Sequence, residues 1–393
     1  MVASRRQRHD LKVMPYTVAD GHATRRPPDA PDRAFETQSA IRNPQLKLSD
    51  FDFHLPEHLI AQEPPAERGT SRLLVVDRRA GMWSDRYIAD LPSLLTAGDL
   101  LVVNNSRVVP ARLLGQRDPS GGQVECLLLR RLDDERWDAL MHPGQKMKPG
   151  TRARFGGPPC TLEAEVLAQH TFGRRTIRLS TPDAESVDSA IDAIGHMPLP
   201  PYIKRPDTPG DRDRYQTVYA TRRGSVAAPT AGLHLTPALL ADLERTGIGR
   251  TEITLHVGYG TFKPIRDDDI AHHVIDPESF EIEAATAHRI AAARASGSRI
   301  VSVGTTTTRT LEAVASWHNG EIAPALGEAA LFIYPGFQFK VVDALLTNFH
   351  LPKSSLLLLA CAFGGRDLIL DAYRHAIQEG YRFYSYGDAM LVV

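Results

Sequence analysis

Ala284-Ala285-Thr286-Ala287-His288-Arg289-Ile290-Ala291-Ala292-Ala293-Arg294-Ala295-Ser296-Gly297-Ser298-Arg299-Ile300-Val301-Ser302-Val303-Gly304-Thr305-Thr306-Thr307-Thr308-Arg309-Thr310-Leu311-Glu312 is the stretch that decides the fold class. Ala284 to Ser296 reads as a helix with Gly297 as its stop, and Arg299 to Val303 as a short buried strand. Gly304 then opens a hydroxyl-rich turn and a second helix. Helix, buried strand and helix in succession argue for an α/β sheet with helices on its faces, where ligands sit at the carboxyl ends of strands. The turn suits phosphate, carboxylate or ribose hydroxyls through N–H and hydroxyl donors, and a helix cap with spare threonines reads the same way. No Gly-Lys-Ser/Thr ending follows, so this is not a nucleotide-triphosphate loop.

Upstream, Arg223 to Leu235 has no apolar period of strand or helix and reads as a loop that lets a backbone come close to something. Thr236 as N-cap and Pro237 at the first helical position start a helix that Gly247 stops. The loop therefore delivers Thr230 and His234 near a helix N-terminus, which favours an anion; a plain connector is the alternative. Ile253, Leu255 and Val257 alternate as in a strand that runs through His256 into Gly258 and Gly260. Downstream come apolar Leu331 to Tyr334, helical stretches from Ser354 to Phe363 and from Arg366 to Gln378, and the short Phe383 to Tyr386. Between them, Val342 to Ser355 sets Asp343, Asn348, His350 and Lys353 among apolar runs. Polar groups so placed are either satisfied core residues or site residues.

From Asp99 to about residue 184 the texture changes. Strand-like runs at Leu100 to Val103, Val109 to Leu114, Val124 to Leu129, Arg136 to Met141, Thr161 to Leu167 and Arg175 to Leu179 alternate with turn signals. This predicts a small antiparallel β-barrel over 99–184, inserted into a larger α/β domain made of 46–98 and 185–393. Arg107, Arg112, Lys146, Lys148, Arg152 and Arg154 make the insert locally basic, which suits RNA backbone contact as well as solvated strand faces. Residues 1–45, rich in Arg, Pro, Asp and Ala, read as a disordered tail.

The totals exclude several classes. The chain has 393 residues and a net charge of −1, so it is not a globally basic nucleic-acid binder. Its longest apolar run, Leu356 to Phe363, is far shorter than a membrane span, and no signal-peptide pattern opens the chain. A cytoplasmic protein with no membrane contact is expected, and a monomer. Cys126, Cys160 and Cys361 are too few and too scattered for a disulfide framework or a Cys-x-x-Cys metal site. His272-His273 and Asp267-Asp268-Asp269 lack zinc spacing and read as a helix start, and no metal is called for. A Gly-x-Ser-x-Gly elbow is missing too, so a serine hydrolase fits poorly.

Several blocks carry a resemblance. Leu59 to Pro64, Asn104 to Arg112, His196 to Ile203, Tyr215 to Ala220, Ala227 to His234, Thr254 to Gly258, Gly304 to Thr306, Thr347 to Ser354 and Tyr381 to Leu391 together resemble the S-adenosylmethionine:tRNA ribosyltransferase-isomerases of queuosine biosynthesis, from about Leu46 to the C-terminus. The resemblance implies an α/β domain with an inserted small β-barrel. It also implies transfer of the ribosyl part of S-adenosylmethionine to 7-aminomethyl-7-deazaguanine at the tRNA wobble position, with adenine and methionine released. S-adenosylmethionine is then a substrate, no prosthetic group is needed, and the partner is a tRNA anticodon stem-loop. Such chemistry needs a base, with His234, His256 and His350 as candidates and Asp343 as a possible orienter. Thr230, Gly232, Gly258, Gly260, Thr305, Thr306, Arg309, Asn348 and Lys353 are candidates for holding substrate, and Arg107, Lys204, Arg205, Arg222 and Arg223 for tRNA phosphates. Leu235, Tyr259 and Thr307-Thr308 depart from the family's usual residues. Another S-adenosylmethionine- or nucleoside-dependent transferase acting on a different acceptor, and a tRNA-binding protein without catalysis, are the competing readings.

Overall fold

The computed structural model describes residues 46–262, 265 and 268–393. The tail expected over 1–45, and Asp267, lie outside the described residues. Nine strands form one mixed sheet in the order Ala325–Ala329, Glu278–Ile282, Gly249–Leu255, Leu100–Asn104, Ile300–Val303, Ala344–Asn348, Ala389–Val392, Arg72–Asp77 and Met82–Tyr87. The four from Gly249–Leu255 to Ala344–Asn348 run parallel. Alternate side chains of Leu100–Asn104 enter different cores. Leu100 and Val102 pack with Ile253, Ile290 and Leu311, whereas Leu101 and Val103 pack with Leu239, Leu243 and Val301.

That strand corrects the sequence reading, which assigned Leu100 to Val103 to the barrel. All five of its residues are buried, and an apolar run without alternation is what a strand covered on both faces requires. Thr236 caps the helix Pro237–Arg245 by accepting from the Leu239 N–H at 3.0 Å, as expected. Apolar Leu331 to Tyr334 is irregular chain.

Six strands, Arg112–Asp118, Gln123–Arg131, Arg136–His142, Arg152–Gly157, Cys160–Gln169 and Arg174–Ser180, close an antiparallel barrel. Leu113, Cys126, Leu128, Ala139, Phe155, Leu162 and Ile177 fill it. Arg152–Gly157 was not recognised in the sequence. Its arginines point out while Ala153 and Phe155 point in, so the charge conceals a period of two. The helix Val187–Ile194 buries Ala190 and Ile191 in the barrel core, although the sequence reading gave it to the α/β part. Ser106–Val108 pairs in parallel with Arg222–Ser225 where the chain leaves and re-enters the sheet.

Candidate functional site

The carboxyl ends of Ile300–Val303 and Ala344–Asn348 meet the turn Thr230–His234. Between them is a pocket of about 70 Å³ whose walls include Thr230, Thr305, Thr306, Asn348 and His350, all expected from sequence. Tyr202, Thr261, Thr347, Ser354, Tyr384 and Ser385 complete its polar lining. Gly304, at φ 95°, turns the chain into the helix Thr305–Trp317, and no side chain caps that helix. Its first N–H groups thus have no intrahelical acceptor and favour an anion. The enclosed space is small beside the roughly 300–1,000 Å³ of a typical small-molecule site.

The three histidines have different tasks. Asn348 Nδ2 donates to the Tyr384 carbonyl at 3.1 Å, which fixes its amide orientation, and also to His234 Nε2 at 3.0 Å. His234 therefore carries its proton on Nδ1 and donates it to Ser71 Oγ at 2.9 Å. Asn348 Oδ1 in turn accepts from Thr230 Oγ1 at 3.0 Å. Burial, with the Arg68 charge, holds the His234 imidazole down at about 4. With both nitrogens engaged, His234 positions Asn348 and Thr230 and is a poor candidate for the base. His350 lines the pocket, its Nε2 lies 2.8 Å from Thr347 Oγ1, and burial holds it at about 3. His256 lies outside the pocket lining, its ring packed against Gly224, with a buried Nδ1 that has no partner among the described residues. Burial lowers its pKa too. Tyr384 sits at φ 73°, a left-handed conformation that costs a bulky residue energy, and its carbonyl anchors Asn348.

Other expected substrate residues lie elsewhere. A Cβ on Gly232 would fall 2.1 Å from the Tyr219 hydroxyl, and one on Gly260 2.7 Å from Asp276 Oδ2. Their glycines satisfy packing. The Gly258 N–H is taken by Glu278 Oε1 at 2.8 Å, which also accepts from Thr261 Oγ1 at 3.0 Å. Arg309 does not reach the pocket: its guanidinium pairs with Glu278 Oε2, and both side chains are buried. Lys353 pairs with Asp52 at 2.5 Å, beside the pocket lining. Asp343 accepts from the Ile300 N–H at 2.8 Å, at the amino end of the parallel strands. A strand of five residues puts roughly 15 Å between it and the pocket, so it orients none of the histidines.

Beside the pocket, between the barrel and the segment Pro198 to Arg205, runs an open cleft of about 1400 Å³. The expected phosphate residues are mostly committed. Lys204 pairs with Glu57, Arg222 with Glu283 at 2.7 Å and Arg223 with Asp192 at 2.8 Å. Arg205 lines the cleft and is gripped by Asp211 at 2.8 and 2.9 Å and by Glu63. Burial would raise the Asp211 carboxyl, but Arg205 and the Thr208 N–H hold it well below the carboxylate range. Arg107 is exposed, without an ion-pair partner among the described residues. Sequence reasoning missed Ser71, Glu278 and Arg175, whose partners are all remote or backbone groups that no local pattern announces. No group of three metal-ligating side chains occurs among the described residues.

Fold and site together define an α/β protein with an inserted closed barrel, a hydroxyl-lined pocket at the strand ends and an open cleft alongside. The chain belongs to the queuosine biosynthesis protein family, whose model matches residues 48–392. It is 47% identical over 348 residues to the S-adenosylmethionine:tRNA ribosyltransferase-isomerase of Heliobacterium modesticaldum, across 88% of this chain and 100% of that one. Identity to the protein of the same name from Anaeromyxobacter dehalogenans is 50% over 351 residues, across 88% and 99%. The crystal structure of S-adenosylmethionine tRNA ribosyltransferase from Thermotoga maritima is 37% identical, with a TM-score of 0.48 and coverage of 88% and 100%. The chain is thus an enzyme of that family. No helix among the described residues is long and apolar enough to cross a membrane.

Proposed function

We propose that this enzyme transfers the ribosyl part of S-adenosylmethionine to the aminomethyl group of 7-aminomethyl-7-deazaguanine at the wobble position of a tRNA. Isomerisation gives the epoxycyclopentanediol of epoxyqueuosine, and adenine and methionine leave. The protein works as a cytoplasmic monomer on the anticodon stem-loop, with no prosthetic group. The observation that carries this reading is a shared wall. Pro201 and Ile203, Val226, and Tyr259 face the cleft, while their neighbours Tyr202, Ala228, and Val257 and Thr261 face the pocket. A sulfonium donor in the pocket and an RNA loop in the cleft share these segments, and the acceptor base reaches past them to the donor.

The residues divide the work. The open N–H groups of Thr305 and Thr306 hold the methionine carboxylate, and the Thr230 and Thr306 hydroxyls bind ribose hydroxyls. A sulfonium-activated C5′ proton must leave before the ribose rearranges. His350 is the histidine of the three that lines the pocket, and it is neutral at pH 7. In the tautomer that donates Nε2–H to Thr347, its Nδ1 lone pair is free to take that proton. Arg107 and the barrel cations draw in phosphates.

An anticodon stem-loop carrying 7-aminomethyl-7-deazaguanine, incubated with enzyme and S-adenosylmethionine, should gain the epoxyqueuosine mass while free adenine appears. His350→Ala should lower turnover by roughly 10²- to 10⁴-fold with donor affinity retained. Release of adenosylhomocysteine would assign methyl transfer instead and overturn the reading.

A further inference from the structure

Phe172 is 90% exposed at the tip of the hairpin between Cys160–Gln169 and Arg174–Ser180. Its backbone is left-handed, at φ 53° and ψ 38°, a conformation that disfavours an aromatic residue. The ring gains nothing from the fold, and the strain works against it.

The tip is nonetheless held firmly. Arg175, 2% exposed, donates from Nε to the Met147 carbonyl at 2.6 Å, from Nη2 to that of Gly144 at 2.5 Å, and from Nη1 to that of Arg174 at 2.7 Å. These bonds staple the hairpin to the turn Gly144–Lys146. The ring therefore projects from a rigid platform on the rim of the 1400 Å³ cleft. The cleft is larger than the roughly 300–1,000 Å³ that a small-molecule site takes. Its charge has one sign. Arg175 bonds to carbonyls alone and Lys146 has no ion-pair partner among the described residues, whereas the lining's one described carboxylate, Glu125, is neutralised by Arg112 at 2.7 Å.

We propose that the barrel rim is a nucleobase-stacking subsite in which Phe172 stacks on an unpaired base of the acceptor RNA, while Lys146 and Arg175 attract the flanking phosphates. RNA loops are gripped through splayed bases on aromatic faces, and a cationic cleft selects a polyanion over a protein or a second copy of this chain. The inference rests on the reading that the acceptor is an RNA loop, and it names where that loop is held.

The test uses the full-length enzyme and the same stem-loop, with 2-aminopurine placed in turn at each loop position beside the acceptor base. Wild type should quench one position, and Phe172→Ala should abolish the quench. The variant should also raise KM for RNA roughly ten- to a hundredfold, with kcat and KM for S-adenosylmethionine unchanged. Phe172→Trp should restore binding and Phe172→Leu should not. A leucine variant equal to wild type, an unchanged KM and quench in Phe172→Ala, or a dimer in sedimentation that Phe172→Ala dissolves would each overturn the proposal. Quenching by wild type without product would sink the reaction assignment and leave the subsite standing; product without a Phe172 effect would do the reverse.

Discussion

Arg309 beneath the pocket and Arg175 beneath the barrel rim are 4% and 2% exposed, and they use their charge in opposite ways. Arg309 faces the carboxylate of Glu278, whose other oxygen holds the Gly258 N–H and the Thr261 hydroxyl. Its charge is cancelled, and the pair becomes a strut under the pocket wall. Arg175 faces carbonyl oxygens, which satisfy its N–H groups without neutralising it. The comparison teaches that burial alone says little about a cation's role. The acceptor decides: a carboxylate makes a structural pair, and carbonyls leave a field for an anion.

The largest expected effect lies in the pair. Glu278→Leu strands Arg309 as an uncompensated buried charge and should cost about 3–5 kcal/mol in urea unfolding. Joining it with Arg309→Met should recover most of that loss. A double variant no more stable than Glu278→Leu would show that the carboxylate's hold on Gly258 and Thr261 matters more than the charge.

Acid should strike the same interior. His234 and His350 sit at about 4 and about 3 in the fold, below their ordinary value of 6.5. The unfolded chain then binds more protons as pH falls, so stability is lost from about pH 6.5 down toward pH 3. His350→Gln should flatten that decline by about 3 kcal/mol at pH 4. An unchanged curve in calorimetry would mean that the ring is hydrated in the folded protein.

Arg175 should show the smaller effect on stability and a distinct one on binding. Arg175→Met should cost about 2 kcal/mol, from lost charge-assisted bonds. It should also reduce the salt slope of RNA binding by about 1. Arg175→Lys should restore the slope without restoring the stability, because an ammonium cannot reproduce the planar fork. If lysine restores neither, the positive field at the rim comes from elsewhere.

Much of the architecture was legible where the signal was local. The run from Ala284 to Glu312 showed helix, strand and helix, and Thr236 showed a cap. Errors arose where charge or neighbourhood misled. Leu100–Asn104 sits next to the barrel in the chain and at the centre of the sheet in space. Arg152–Gly157 hid its alternation behind arginines. In the site, Thr230, Thr305, Thr306, Asn348 and His350 did gather at one pocket. Gly232 and Gly260 were glycines for the sake of Tyr219 and Asp276, a reason visible only when the neighbours are in place.

The sequence by itself determined the class of fold, the barrel's insertion between parts of the sheet, and the family, because periodicity, caps and motif blocks are properties of adjacent residues. Only the tertiary structure decided which histidine is structural, which arginine is neutralised and which glycine is merely packed. Those roles depend on partners distant in the chain: Ser71 and Asn348 for His234, Glu278 for Arg309, Tyr219 for Gly232. A side chain's proton, charge and mobility are set by what the fold brings within about 3 Å of it.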